Sequence, residues 1–107
     1  NEFKSIDWLQ TPVRSERSKH IFHQYTLKVL NGKRDELMNH LTEKEIPCKV
    51  YYPDGLHEHA IYSNEKKGKK GLRVSLGLKD IVLSLPMHSE LEDDQLNYIT
   101  QSVKEFA

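Results

Sequence analysis

The sequence predicts an α+β domain, a small sheet of three or four strands with helices packed on one face. Strand-like runs at residues 21–29, 48–52 and 81–85 alternate with helix-like runs at 34–45 and from about residue 92 to the end. A chain of 107 residues with 36% hydrophobic content can bury one modest core, which means one domain. Residues 1–19 are polar and irregular. They read as a leading arm with room for one short extended piece, which places the domain proper at residues 20–107.

The elements follow in order. In residues 21–29, β-branched and aromatic side chains are dense and alternate, so Ile21, His23, Tyr25, Leu27 and Val29 share a face. Asn31-Gly32 is a turn signal. Over 34–45, Leu37, Met38 and Leu41 form a one-sided stripe. Asp35 and Glu36 lie in the first turn, where the helix dipole favours them, and Pro47 closes the run. Cys48–Tyr52 reads as a second strand, ended by Pro53-Asp54-Gly55. Leu56–Gly71 is a long connection holding the basic run Lys66–Lys70, expected to be a solvated loop. Residues 72–80 are ambiguous, because Ser75 and Gly77 weaken a helix. Ile81–Leu85 is a well buried strand stopped by Pro86. The last helix carries Leu96, Ile99, Val103 and Phe106 on one face, and Ser89 with Glu92 has the spacing of a capping box.

Charge and cysteine usage exclude several function classes. Sixteen basic and sixteen acidic residues give a formal net charge of zero. A nucleic-acid module needs a basic excess to displace counterions, and a polybasic membrane binder needs the same. No apolar run approaches the ~20 residues of a membrane span. Cys48 is the single cysteine, so no intrachain disulfide and no Cys-rich zinc site can form, as suits a reducing, cytoplasmic compartment. The chain starts at Asn1 rather than Met, which suggests processing or a piece of something longer.

Candidate chemistry is sparse. His20-x-x-His23 and His57-x-His59 resemble metal half-sites, but neither has helical i,i+4 spacing and no thiol or carboxylate cluster completes them. The bland reading, ordinary histidines, is favoured, although His23 on an apolar strand face could line a pocket. Cys48 has no histidine partner in sequence and reads as an inert buried thiol. A Schiff-base lysine needs a pocket that lowers its pKa. The twelve lysines fall in polar contexts, so no catalytic residue is assigned. Tyr51-Tyr52-Pro53-Asp54-Gly55-Leu56-His57 is the more unusual segment. Two aromatics end a strand, the chain turns, and a histidine follows, in the kind of loop that often carries function.

Four segments carry a resemblance. They are His20-Ile-Phe-His23-Gln-Tyr25-Thr, Arg34-Asp35-Glu36-Leu37, Val50-Tyr51-Tyr52-Pro53 with Leu56-His57, and Val82-Leu83-Ser84-Leu85-Pro86-Met87-His88 with Glu90-Leu91. In this order, over residues 18–107, the chain resembles the C-terminal small domain of the DegT/DnrJ-type sugar aminotransferases, which have the aspartate-aminotransferase fold. The resemblance implies pyridoxal phosphate as cofactor, bound with its Schiff-base lysine by an upstream large domain. It implies a nucleotide-linked keto sugar as substrate, glutamate as amino donor and a homodimer, so that these 107 residues form an inactive fragment of the parent enzyme. It places His57, Tyr51, Tyr52 and Pro53 beside the sugar pocket, with His23 and Tyr25 near it. One departure stands out. The family commonly shows Tyr-Pro-x-Pro-Leu-His, and Gly55 stands where its second Pro would be, which is expected to loosen the loop. The alternative reading is a stand-alone ligand-sensing or protein-interaction module without catalysis.

Overall fold

The computed structural model describes residues 2–62 and 71–107. Its sheet has three antiparallel strands in the order β1 (Leu9–Gln10), β2 (Tyr25–Val29) and β3 (Val82–Leu85). The helices are α1 (Arg34–Glu43), α2 (Arg73–Lys79) and α3 (Asp93–Phe106), with two 3-10 turns at Leu56–Glu58 and Ala60–Tyr62. The predicted α+β class is therefore the observed one.

Register explains the core. Leu9 pairs with Val29, Leu27 with Leu83, and Tyr25 with Leu85, so these residues share one sheet face. Leu37 and Leu41 of α1 and Ile99 and Val103 of α3 belong to the same buried cluster. The opposite face carries Thr26 opposite Ser84 and Lys28 opposite Val82. There the hydroxyls of Thr26 and Ser84 lie 2.8 Å apart in a hydrogen bond.

Several expectations need correction. The strand expected over 21–29 begins only at Tyr25, because Phe22 turns left-handed (φ 46°) and breaks the extended run. Phe22 is held by its own neighbours: its N–H donates to His20 Nδ1 at 2.9 Å and its ring stacks on the His20 ring. Ile21 consequently points to solvent, 86% exposed. The polar arm of residues 1–19 is not polar throughout its length. Phe3, Ile6 and Leu9 recur every three residues along successive turns and are buried in the core, before β1 joins the sheet.

The strand expected at 48–52 reduces to one bridge, Lys49 with Ser84, closed by N–H to O contacts of 3.0 and 2.7 Å. Pro47 lacks an N–H to extend the ladder on one side, and the chain turns away at Tyr51–Pro53 on the other. Residues 73–79 form a helix despite Ser75 and Gly77. The last helix starts later than the Ser89–Glu92 spacing implied. Glu92 is the N-cap, and its N–H donates to Gln95 Oε1 at 3.0 Å. Leu96, expected on the apolar face, is 41% exposed. The question of order in the basic stretch 63–71 falls, up to residue 70, outside the described residues.

Pro47 does not terminate α1 either. The helix ends at Glu43, and Glu45 adopts a left-handed conformation (φ 58°). The Glu45 N–H donates to Thr42 O at 3.0 Å and the Ile46 N–H to Leu41 O at 2.9 Å. That pair of bonds is the Schellman pattern, with Leu41 and Ile46 buried beside each other in the core. A left-handed non-glycine residue costs ~1–2 kcal/mol, and glycine recovers part of it after its own entropy loss. Glu45→Gly should therefore raise unfolding stability by up to about 1 kcal/mol, read by urea denaturation.

Candidate functional site

Beside the polar face of the sheet lies a cavity of about 800 Å3. Tyr51, Tyr52 and Pro53 wall one side, Leu78 and Lys79 of α2 the other, and Val82 of β3 contributes to the lining. A smaller cavity of about 120 Å3 adjoins it through Tyr51 and holds His23, Gln24, Lys49 and Ser84. The Lys49–Ser84 bridge fastens the chain here, so the segment after it emerges over the polar face of β3 rather than over the core.

The predicted residues separate into three groups. Tyr51, Tyr52 and Pro53 line the larger cavity and His23 lines the smaller. His57 lines neither. Its ring lies against Gly55, so that a Cβ built on Gly55 would come within 2.5 Å of His57 Cε1 and 2.7 Å of its Nδ1. The His57 Nε2 is buried and has no hydrogen-bond partner among the described residues. Tyr25 belongs to the core face, and it borders a separate groove with Phe3 and Leu96. The segment Leu85–Met87 borders both that groove and the smaller cavity, so Tyr25 backs the pocket from behind this segment.

Asp54 and Lys79 line the larger cavity and Glu58 joins them, an association not legible in the sequence. Glu58 Oε1 accepts from Lys79 Nζ at 2.6 Å, and Glu58 Oε2 accepts from the Gly55 N–H at 2.9 Å. Asp54 Oδ1 stands 4.0 Å from the same ammonium. The Lys79 hydrogen bond, and then that of Gly55, hold the Glu58 carboxyl below its ordinary range. The Glu58 hydrogen bond in turn raises Lys79 above the usual ammonium value. Residues 58 and 79 are far apart in sequence and share no motif, so no local pattern could have joined them.

Among the described residues, no three His, Cys, Asp or Glu side chains gather in a metal-holding group. His57 and His59 diverge, His57 packing on Gly55 while His59 faces the cavity. Cys48 is buried, with its thiol 3.9 Å from Met38 O, and burial pushes its pKa up. The folded chain should consequently react with a thiol reagent at neutral pH about tenfold or more slowly than the denatured chain. Equal rates would show that Cys48 is open to solvent.

A second groove, of about 430 Å3, runs between the end of α1 and the start of α3 and contains Pro47, Pro86 and Tyr98. None of the six residues singled out from the sequence lies in it.

Comparison with known proteins gives a consistent result. Residues 1–104 match the DegT/DnrJ/EryC1/StrS aminotransferase family. The chain is 35% identical over 100 residues to a pleiotropic regulatory protein of Geobacillus stearothermophilus, covering 94% of this chain and 26% of that protein. It is also 35% identical over 96 residues to the GDP-perosamine synthase of Escherichia coli O157:H7, covering 85% of this chain and 25% of the relative. Among solved structures, a DegT DnrJ EryC1 StrS aminotransferase from Brucella abortus superposes with a TM-score of 0.88 at 30% identity, over 98% of this chain and 27% of that one. The chain thus spans about a quarter of the length of the curated relatives it matches.

Proposed function

The chain belongs to the DegT/DnrJ/EryC1/StrS aminotransferase family, and on that premise we propose that its 107 residues are the C-terminal small domain of an enzyme that aminates nucleotide-linked keto sugars. The parent takes its amino group from glutamate, works as a homodimer in the cytoplasm, and uses pyridoxal phosphate, the cofactor of the family. The observation that carries the reading is the larger cavity, which gathers Tyr51, Tyr52 and Pro53 over the polar sheet face within a chain of this family.

The cofactor acts as an electron sink when bound, but the lysine at the larger cavity does not fit the imine-forming role in its holding site. An imine-forming lysine must have a lowered pKa. Lys79, the lysine at the larger cavity, has the opposite shift because Glu58 holds it as an ammonium. We therefore assign the Schiff-base lysine and the phosphate cup to parts of the parent outside these 107 residues, and expect this chain alone to be inactive.

The roles assigned here concern the sugar. Tyr51 and Tyr52 offer aromatic faces and hydroxyls, and Pro53 fixes the turn beside them. His57 is assigned to the sugar side by the family resemblance, with its ring packed on Gly55 of the turn that lines the larger cavity. His23 closes the neighbouring cavity, with Tyr25 behind it. The second reading, a binding module without chemistry, is favoured only by the regulatory name of the Geobacillus relative.

The test uses the full-length parent loaded with pyridoxal phosphate, glutamate, and a panel of UDP-, GDP- and dTDP-linked keto hexoses. We expect 2-oxoglutarate to form with at least one sugar, and Tyr52→Ala to lower kcat/KM for it by about tenfold, the loss of one aromatic wall of the larger cavity. No turnover with any sugar, together with specific nucleotide-sugar binding by the 107 residues alone, would move the assignment to the binding module.

A further inference from the structure

We propose that Glu58, Lys79 and the backbone N–H of Gly55 form a clamp that sets the sugar-side loop, which makes Glu58 and Lys79 positioning residues of the transamination site. This rests on the functional reading above.

Backbone bonds close the turn locally, Glu58 N–H donating to Gly55 O at 2.8 Å and His59 N–H to Leu56 O at 3.3 Å, and among the described residues little else holds the loop. Tyr51, Tyr52, Pro53, Asp54 and Leu56 are exposed, so burial of apolar side chains does not fix their course. What fixes the turn to the rest of the domain is one carboxylate used on both oxygens. Glu58 Oε2 takes the N–H of Gly55 at 2.9 Å, which closes the turn on itself. Glu58 Oε1 takes the ammonium of Lys79 at 2.6 Å, which ties that turn to α2. Lys79 is a firm post. It is the last residue of α2, its carbonyl accepts from Arg34 Nη1 at 3.0 Å, and three residues later the chain enters β3, buried along its whole length. Asp54 brings a second carboxylate to 4.0 Å from the same ammonium.

Gly55 is part of the same device. Proline at this position has no N–H to give Glu58. Any side chain larger than hydrogen would meet the His57 ring at 2.5 Å. The glycine that looked in sequence like a loss of rigidity supplies the donor and the space that the clamp and the histidine require. The clamp thus sets the walls of the cavity from both sides, through Tyr51–Pro53 on the loop and Lys79 on the helix.

The test compares full-length wild type with Lys79→Met, Lys79→Arg and Glu58→Gln. The glutamate half-reaction is measured separately from the sugar half-reaction, using the UDP-, GDP- and dTDP-linked keto hexose panel. Amide hydrogen exchange is followed over residues 52–59. With the clamp in place as argued, Lys79→Met and Glu58→Gln raise KM for the sugar by about tenfold, a scale set by small misplacements of binding groups. The glutamate half-reaction stays within about twofold, exchange at 52–59 accelerates, and Lys79→Arg restores both readouts. Unchanged exchange in Lys79→Met overturns the clamp whatever the activity. Equal losses in both half-reactions overturn the positioning role, because they mark general destabilisation. A wild type inactive on every sugar, with exchange still accelerated in Lys79→Met, retains the clamp and overturns the functional reading instead.

Discussion

The structure depends on β3. Val82, Leu83, Ser84 and Leu85 are all buried, and the strand is hydrogen-bonded on both edges, to β2 on one side and to Lys49 on the other. Leu83 and Leu85 belong to the core that α1 and α3 cover. Val82 and Ser84 point to the polar face, where the cavities open. A four-residue strand can serve both faces because successive side chains alternate, so one element joins the core side of the domain to the cavity side. Ser84 is the joint itself: its hydroxyl meets Thr26, and its backbone meets Lys49.

Polar contacts do different work in the two halves. On the helix side, Lys44 pairs with Glu105, Lys104 with Glu2, and His40 Nε2 lies 2.9 Å from Ser102 O. These decorate a core that Leu27, Leu37, Leu41, Leu83 and Val103 already hold with no exposed surface. Exposed ion pairs add little to such a core. On the cavity side, apolar burial is thin, so the geometry of Glu58, Lys79 and Gly55 decides where the aromatic walls stand. The same kind of pair that is incidental in one half is directive in the other.

A chain that covers about a quarter of its relatives need not contain every part of their chemistry. What it does contain is a rigid platform and a shaped rim. Loops set on a rigid scaffold are where binding residues concentrate, and the Tyr51–His57 segment is of that kind. No helix among the described residues is long and apolar enough to cross a membrane.

By itself the sequence determined the elements whose signals are local. Leu37 and Leu41 define α1, the run Val82–Leu85 defines β3, and Ile99 with Val103 defines the buried stripe of α3. The family and the aromatic turn at Tyr51–Pro53 were also readable, since ordered short motifs survive in one dimension. Only the tertiary structure decided the rest. It cut the first long strand at Phe22, drew Phe3, Ile6 and Leu9 into the core, reduced residues 48–52 to a single bridge, and moved the helix cap from Ser89 to Glu92. It also brought Glu58 to Lys79 and set the His57 ring on Gly55. These outcomes turn on contacts between distant residues or on a single backbone angle, and neither leaves a periodic trace for a sequence to show.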